Sequence, residues 1–159
     1  MQSRSPSVTL EPAEFTDKSV LRNLLQLYLH DFSEFTGEDV GPDGLYGYHY
    51  LDHYWTDPDR YPFFIRVEGV VAGFVLVRAT APYDMAEFFV MRKYRRLGVG
   101  SVAANLAFER FPGPWQVREL LANLPAQAFW RRVIGAYTGG AFAEHRDEEE
   151  VVQTFDRAK

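Results

Sequence analysis

The feature that most constrains the fold is a basic, glycine-containing turn between a predicted strand and a predicted helix. Residues 95–100 read Arg-Arg-Leu-Gly-Val-Gly, and the two glycines allow the main chain to turn tightly and to approach a ligand closely. The helix that follows directs its free N–H groups and the positive end of its dipole towards the same point. Four positive charges stand within five residues: Arg92, Lys93, Arg95 and Arg96. The segment therefore favours a diphosphate ligand, although a basic loop that only starts a helix would have the same spacing.

Apolar patterns before and after this turn predict a mixture of strands and helices. Residues 63–67 and 70–77 flank Glu68 and Gly69, a pair suited to a tight turn, and are predicted to form a β-hairpin. A third strand is predicted over residues 85–90. The helix after the turn is expected to bury one apolar face, made of Val99, Val102, Ala103, Leu106 and Ala107.

The last third of the chain is predicted to alternate strand and helix. Residues 115–121 are predicted to form a strand. Pro125 suits the first position of a helix and Gly135 suits its end. The inward-facing residues of this helix are expected to be Ala126, Phe129, Trp130, Val133 and Ile134. Two final strands are predicted near residues 137–143 and 151–155.

The N-terminal part combines one amphipathic helix with an acidic segment. Asp17 is expected to cap a helix whose apolar positions, over residues 20–28, recur with a period near 3.6. Residues 31–60 hold eight acidic residues against a single base, Arg60, a net charge of −7, together with seven aromatic residues. Glycines and a proline interrupt this segment, so a loop with one short helix around residues 46–54 is predicted.

The composition excludes several classes of protein. The chain has 159 residues and is expected to form one domain, residues 1–159, with a flexible N-terminus at residues 1–6. It has no cysteine, which excludes disulfides, thiolate metal sites and a cysteine nucleophile. A formal net charge of −5 argues against a nucleic-acid partner. No apolar stretch is long enough to cross a bilayer and no signal peptide is recognisable, so we expect a cytoplasmic protein with no membrane partner.

A helix, a hairpin, a long strand and then R-x-x-G-x-G before another helix resembles the GNAT superfamily of N-acetyltransferases, over roughly residues 8–155. A dinucleotide-binding fold would carry G-x-G-x-x-G after its first strand, and a P-loop would need Gly-Lys-Ser/Thr, which is absent. The resemblance implies an α/β (α+β) fold with a mixed, mostly antiparallel central sheet flanked by helices. It also implies acetyl-CoA as co-substrate and direct acetyl transfer to an amine within a ternary complex.

The resemblance further implies a set of cofactor-binding residues. In this family the turn holds the pyrophosphate of acetyl-CoA through backbone amides, and the splayed fourth strand pairs with the pantetheine arm. By position these residues are Phe89, Val90 and Met91 on the strand, and Arg95, Arg96, Leu97, Gly98, Val99, Gly100 and Ser101 in the turn. Asn123 matches the asparagine that hydrogen-bonds the cofactor in the family's N-x-x-A-x-x-x-Y element, and capping of its own helix is an equal alternative.

Candidate catalytic residues follow from the same resemblance. Glu87 matches the fourth-strand carboxylate that acts as general base, and its apolar neighbours are expected to raise its pKa; an outward-facing glutamate on an alternating strand is the alternative. Trp130 stands where the family has the tyrosine that protonates the CoA thiolate, and its indole cannot act as an acid near neutral pH. The group that protonates the CoA thiolate is therefore undecided between water, Tyr94 and Tyr137. This departure favours a second hypothesis, a CoA-binding sensor or regulatory module without catalysis, and a pure protein-interaction domain is a third.

The acidic, aromatic segment 31–60 predicts a small, positively charged amine as acceptor, because carboxylates attract cations and aromatic faces add cation–π contacts. Asp31, Glu34 and Tyr54 are the candidate contacts, and a solvated acidic loop is the alternative. His49 and His53, like Asp31, are further acid–base candidates. The two histidines stand four residues apart, close to a zinc pattern, but no third ligand is evident and no metal is expected. The sequence leaves open whether the protein forms a homodimer.

Overall fold

The computed structural model describes residues 4–157 and contains a seven-stranded sheet with helices on both faces. The strands are β1 (Val8–Pro12), β2 (Arg60–Val67), β3 (Val70–Arg78), β4 (Tyr83–Val90), β5 (Pro114–Leu120), β6 (Ala143–Arg146) and β7 (Glu150–Asp156). The helices are α1 (Lys18–Thr36), α2 (His53–Thr56), α3 (Val99–Arg110) and α4 (Leu124–Thr138). Half of the predicted flexible N-terminus, residues 1–3, lies outside the described residues. None of the described helices has the length and apolar character needed to cross a membrane.

The strand order confirms the predicted mixed, mostly antiparallel sheet. The order is β1-β2-β3-β4-β5-β7-β6, and every neighbouring pair is antiparallel except β4 and β5, which are parallel. The parallel pair is joined through α3, as a parallel connection requires a long crossover. Two apolar cores result, one between the sheet and α3 with α4, and the other between the sheet and α1 with α2.

The sheet divides in the middle, between β4 and β5. These strands pair only at Tyr83 with Trp115 and at Asp84 with Gln116. Beyond Asp84, β4 remains paired with β3 as far as Val90 on its other side, while β5 pairs with β7 along its whole length. The edge of β4 that faces β5 is therefore open over its second half.

A β-bulge in β4 sets which side chains face which core. Leu76 pairs with Glu87 and Val77 pairs with Met85, so Ala86 is an extra residue in β4. Because of this extra residue, Met85 packs into the core beneath α3 and α4, whereas Glu87 faces α1. A regular strand would have placed both side chains on one face, since its side chains alternate with a period of two.

Four predictions about the helices and strands are corrected. Helix α1 extends through Asp31 to Thr36 and ends at Gly37, whose φ is 73°. Helix α4 does not end at Gly135, because an internal glycine costs a helix only ~1 kcal/mol; it continues to Thr138 and ends at Gly139 with φ 63°. The strand predicted near residues 137–143 is therefore wrong, and β6 begins at Ala143. On α3, Val102 and Leu106 are exposed, and Ala104 and Phe108 are buried in their place.

Candidate active site

A cleft of about 940 Å³ opens where β4 and β5 separate. Its walls come from α1 and the segment after it, from the end of β4, from the turn at residues 92–100, and from the first turns of α3 and α4. Of the predicted cofactor-binding residues, eight line it: Phe89, Val90, Arg95, Arg96, Gly98, Gly100, Ser101 and Asn123. The other three lie elsewhere, because Val99 is buried in the core, Met91 packs beside α1 and Leu97 is exposed.

The basic turn, residues 92–100, contains two residues with a left-handed backbone, which glycine adopts far more easily than other residues. Arg96 has φ 63° and Gly98 has φ 77°, both in the left-handed region. A Cβ atom at Gly98 would meet no protein atom within 4 Å, so the space beside it is open. At Gly100, on the first turn of α3, a Cβ atom would come within 3.0 Å of the Phe129 ring. Gly100 thus lets α3 and α4 approach each other at the cleft.

Two arginines of the basic turn are tied to α1 by Asp31. Arg95 Nη2 lies 2.8 Å from Asp31 Oδ2, and Arg92 Nη2 lies 2.9 Å from Asp31 Oδ1. Partial burial acts to raise the pKa of Asp31, but the hydrogen bonds and charges of the two arginines outweigh it and lower that pKa. Asp31 therefore serves as the counter-ion of the basic turn, and we revise its assignment as an acceptor contact.

Asn123 caps its own helix, one of the two predicted roles, and it also lies at the cleft. Its Oδ1 accepts a hydrogen bond of 3.1 Å from the Ala126 N–H and caps α4, while the residue also lines the cleft. The cap uses only the oxygen of the side-chain amide. The two N–H donors of the amide take no part in this cap.

Glu87 lies beside the cleft, on the α1 side of β4. Its carboxylate accepts a hydrogen bond from the hydroxyl of Tyr28, a residue of α1 that lines the cleft. Burial raises the pKa of Glu87 to about 7, although the hydrogen bond from Tyr28 and the charge of Arg118 act to lower it. A carboxyl group with this pKa can accept a proton near neutral pH.

Trp130 forms part of an aromatic wall. It is 6% exposed, and its ring lies 4.9 Å from those of Phe88 and Phe129. Trp130 and Phe129 belong to α4, Phe88 belongs to β4, and all three line the cleft. The side chain therefore shapes the cleft as an apolar surface.

Three tyrosines that were predicted as acid–base or acceptor residues lie away from the cleft. The Tyr137 hydroxyl donates to Glu109 at 2.8 Å, on the far side of α3 and α4. Tyr94 packs against the core beneath α3 and α4, and Tyr54 is buried in the core beneath α1. None of these three tyrosines is among the described residues that line the cleft.

The two histidines of the zinc-like pattern do not share a helix. Helix α2 begins at His53, and His49 lies in the turn before it. Within residues 4–157, no group of three or more His, Asp or Glu side chains is arranged to hold a metal ion.

The acidic segment divides into residues at the cleft and residues elsewhere. The acidic rim, defined here as Glu34, Glu38 and Asp39, lines the cleft on the α1 side and is exposed. Asp52 and Asp57 pair instead with Lys18 and Arg60. Half of the segment's charge therefore faces away from the cleft.

The residues of the cleft wall that sequence analysis did not single out include Tyr28, His30, Tyr46 and Arg132. The apolar stripe of α1 assigns Tyr28 to the core and gives no sign of its place at the cleft. Tyr46 reaches the site because Gln26 of α1 holds its main chain through two hydrogen bonds of 2.9 Å. Arg132 lies on α4 with its guanidinium 5.7 Å from the Phe129 ring centre, and it adds a further positive charge to the cleft.

Comparison with solved structures finds the same fold in several acetyltransferases. The spermidine N-acetyltransferase of Vibrio cholerae, solved with CoA and spermine, aligns over 96% of each chain with a TM-score of 0.66 and 14% identity. An acetyltransferase from Thermus thermophilus aligns over 97% of this chain and 99% of its own, with a TM-score of 0.67 and 15% identity. The ribosomal-protein-S18-alanine N-acetyltransferase of Escherichia coli aligns over 96% of each chain, with a TM-score of 0.64 and 12% identity.

At these identities the structural likeness concerns the fold. No curated protein sequence matches the chain. The model of the acetyltransferase (GNAT) family, however, matches residues 21–136, which include most of α1, the whole of β4, the basic turn and Asn123. That match spans well over half of the sequence and confirms the resemblance. The chain belongs to the GNAT family of acetyltransferases.

Proposed function

We propose that this protein transfers the acetyl group of acetyl-CoA to a primary amine of a small cationic molecule, by direct transfer in a ternary complex. The observation that carries the proposal is the composition of the cleft. One end holds the basic turn and the open edge of β4, while the opposite side holds the acidic rim. Glu87, a carboxyl group whose pKa burial raises to about 7, lies behind the wall and is hydrogen-bonded to Tyr28, which lines the cleft.

The basic end of the cleft fits the phosphates of acetyl-CoA. The N–H groups at the start of α3 are free of intrahelical partners, and the helix dipole favours negative charge there. Gly98 leaves open space beside the turn, and Arg96 and Arg132 line the same region. These residues would hold the phosphates, while Arg92 and Arg95 stay engaged with Asp31.

The open edge of β4 fits an extended chain that carries amide groups. The Met91 N–H donates to Ala72 on β3, so by alternation Phe88 and Val90 direct their N–H and C=O groups towards the open edge. Arg95 Nε already donates to the Val90 carbonyl at 2.8 Å. The pantetheine arm would therefore pair with the main chain of Phe88 and with the Val90 N–H.

The acidic rim fits a cationic acceptor. Glu34, Glu38 and Asp39 are exposed at the cleft, and the aromatic rings of Phe32 and Phe35 lie among them on α1. Carboxylates at the mouth of a cleft attract cations, and aromatic faces within ~6 Å add cation–π attraction. The structural relative from Vibrio cholerae is named for acetylating spermidine, a polyamine, which supports the same class of acceptor.

Bound acetyl-CoA supplies an activated acetyl group as a thioester. The protein's part in the transfer is to orient the acceptor amine and to remove its proton, since only a neutral amine has the lone pair that attacks a carbonyl. Glu87 is the proposed base. The thiol of CoA can leave without Trp130, whose indole is not an acid near neutral pH.

The proposal is tested by two measurements on the wild-type protein. Calorimetry measures binding of acetyl-CoA, and thioester consumption is followed with spermidine, kanamycin and 1,4-diaminobutane. Glu87→Gln is expected to reduce turnover ~10²–10⁴-fold, as general-base loss does, with little change in acetyl-CoA affinity. Incubation with acetyl-CoA alone should add no acetyl mass to the protein, because no covalent acyl-enzyme is proposed.

A second candidate function is a CoA-binding sensor that does not catalyse. The observation that favours it is Trp130, which fills the position of the family's acid with a buried aromatic ring. Acetyl-CoA binding without turnover of any amine in the panel would support the sensor and contradict the enzyme. Absence of any acetyl-CoA binding would contradict both.

A further inference from the structure

We propose that Tyr28 is a catalytic residue that relays the acceptor's proton to Glu87. The inference rests on the proposed function and names the group that meets the amine. Tyr28 lines the cleft, whereas Glu87 is not among the described residues that line it. The Tyr28 hydroxyl donates its hydrogen bond to Glu87 Oε2. A proton that leaves the cleft for Glu87 therefore has a direct route through the Tyr28 oxygen.

The position of Glu87 behind Tyr28 follows from the bulge at Ala86. The bulge turns Glu87 towards α1, opposite Leu76, while Met85 faces the other core. The carboxylate is thereby enclosed between the sheet and α1. A regular β4 would have placed Glu87 on the same side as Met85, away from Tyr28.

The Tyr28 ring is held rigidly by three phenylalanine rings. It stacks on Phe32 at 5.4 Å between ring centres, meets Phe74 edge-on at 5.5 Å, and lies 5.8 Å from Phe89. Phe32 and Phe89 also line the cleft. Because the packing fixes the ring, the hydroxyl stays between the cleft and Glu87.

The groups that face Glu87 leave it able to take a proton near neutral pH. They come from every element around it: Tyr28 of α1, Tyr48 before α2, Tyr54 of α2, Asp84 of β4 and Arg118 of β5. Burial and the charge of Asp84 raise the pKa of Glu87, and the Tyr28 hydrogen bond and Arg118 lower it, which leaves it at about 7. Burial also raises the pKa values of Tyr48 and Tyr54. These two hydroxyls therefore stay neutral.

Other groups at the cleft are less suited to the same task. Asp31 is bound to two arginines, which lower its pKa. His30 is exposed, and its Nδ1 lies 3.5 Å from the Tyr46 hydroxyl. Neither side chain contacts Glu87. The hydrogen bond from Tyr28 instead links the cleft wall to a buried carboxyl group.

The step is a double proton shift that conserves charge. One N–H bond of the acceptor ammonium breaks, and its proton bonds to the Tyr28 oxygen. At the same time the Tyr28 O–H bond breaks, and that proton bonds to Glu87 Oε2. The ammonium becomes a neutral amine with a lone pair, the carboxylate becomes a carboxylic acid, and Tyr28 is regenerated. No oxidant or reductant is required.

The test compares Tyr28→Phe with the wild type, using acetyl-CoA and the best acceptor of the amine panel. The variant keeps the ring that packs against three phenylalanines and loses only the hydroxyl. We expect kcat to fall by ~10²-fold or more, as for loss of an acid–base group, while acetyl-CoA affinity is unchanged. Tyr61→Phe removes a hydroxyl from β2, distant from the cleft, and serves as the control with unchanged kcat.

The pH profile and the solvent isotope effect distinguish a relay from a positioning role. In the wild type, kcat/KM should rise with pH through an apparent pKa near 7. The hydrogen bond from Tyr28 lowers the pKa of Glu87. In Tyr28→Phe this bond is lost, so the rise of kcat/KM should occur at higher pH. If two protons move in the same step, a plot of wild-type kcat against the fraction of D₂O should be curved. A straight line, or a kcat for Tyr28→Phe close to that of the wild type, overturns the relay.

Failure of the relay and failure of the proposed function give different results. A wild-type protein that acetylates no amine in the panel contradicts the proposed function, and the relay falls with it. If the wild type acetylates an amine and Tyr28→Phe has the same kcat, only the relay is contradicted.

Discussion

Arg95 Nη2 lies 2.8 Å from Asp31 Oδ2. The same guanidinium donates through Nε to the Val90 carbonyl at 2.8 Å, so a single side chain joins α1, the basic turn and the end of β4. The three elements that enclose the basic end of the cleft are thereby fixed relative to one another. Asp31 acts on the geometry of the turn, and its charge is neutralised by two arginines.

Asp31→Asn is expected to affect stability and to leave acceptor binding unchanged. The partners of Asp31 are substantially exposed, so the loss in free energy of unfolding should be only ~0.5–1 kcal/mol. Because the two arginines lower its pKa, this stabilisation is present above the usual pKa of an aspartate and is lost as the pH falls through the lowered value. Glu34→Gln, at the exposed rim, should do the reverse: unchanged stability and a raised acceptor KM. Urea unfolding and steady-state kinetics of both variants measure the contrast, and a raised acceptor KM in Asp31→Asn alone contradicts it.

Gly98→Asp is expected to abolish or severely weaken acetyl-CoA binding. The left-handed backbone at Gly98 disfavours any side chain, at a cost of ~1–2 kcal/mol for most residues, and Asn and Asp tolerate it best. The space beside Gly98 is open, so the side chain itself fits. Gly98→Asn has nearly the same shape without the charge and is the matched control. Calorimetry should show much weaker binding for Gly98→Asp than for Gly98→Asn, and equal affinities would mean that the phosphates lie elsewhere.

The free energy of unfolding should decrease as the pH rises from about 4.5 to 8, because buried carboxyl groups ionise over this range. Burial raises the pKa of Glu119 to about 7, although a hydrogen bond from Gln153 opposes the shift. The folded state therefore binds protons more tightly than the unfolded state, and the stabilisation, full below the unfolded pKa, is lost as the pH rises through 7. Glu119→Gln should flatten this dependence in part, since Glu87 contributes to it as well. Glu148→Gln, in the exposed acidic turn, should leave the slope of the free energy of unfolding against pH unchanged.

The acceptor KM should rise with salt. Attraction between exposed charges weakens as the screening length falls from ~10 Å at 0.1 M to ~3 Å at 1 M. Neutralising the acidic rim by Glu34→Gln, Glu38→Gln and Asp39→Asn together should raise the KM at low salt and remove most of its salt dependence. Steady-state kinetics across this range of salt concentration measure both effects. A best acceptor that is neutral or anionic contradicts the proposed class of substrate.

Trp130→Phe should reduce kcat only modestly, well below the ~10²–10⁴-fold loss typical of an acid–base group. The substitution removes the indole N–H and keeps an aromatic ring against Phe88 and Phe129. It also removes buried apolar surface, so the melting temperature should fall. A loss of turnover as large as that of Glu87→Gln would assign the indole N–H a role in catalysis.

The parts of the site that can be predicted from sequence are those whose requirements are local. The basic turn is predictable because Gly98 needs a positive φ and stands directly before a helix, and both facts are visible within a few residues. Asn123 is predictable for the same reason, as its cap involves Ala126, three residues away. The choice of Glu87 as candidate base comes from the resemblance to the family and stays a prediction.

The parts that cannot be predicted depend on contacts between distant residues or on one extra residue in a strand. Asp31 meets Arg95 across 64 positions of sequence, and nothing near Asp31 indicates that its charge is already neutralised. Tyr28 looks like a core residue because its hydroxyl partner, Glu87, lies 59 positions away. The apolar pattern of β4 gives no sign of the bulge at Ala86, so the sequence does not show which face of the sheet carries Glu87. The predicted end of α4 at Gly135 is wrong because a helix tolerates an internal glycine, and α4 ends at Gly139 instead.

The short pairing between β4 and β5 also affects how the protein unfolds. The sheet consists of a four-stranded half and a three-stranded half, and the main-chain bonds between them are confined to Tyr83–Trp115 and Asp84–Gln116. Besides these bonds, the halves are joined by the ion pair of Arg118 with Asp84, at 2.9 Å, and by the packing of α3 and α4 against the sheet. If the pantetheine arm binds along β4 as proposed, it would add hydrogen bonds in the gap between the halves. Bound acetyl-CoA would then be expected to make the two halves unfold more cooperatively.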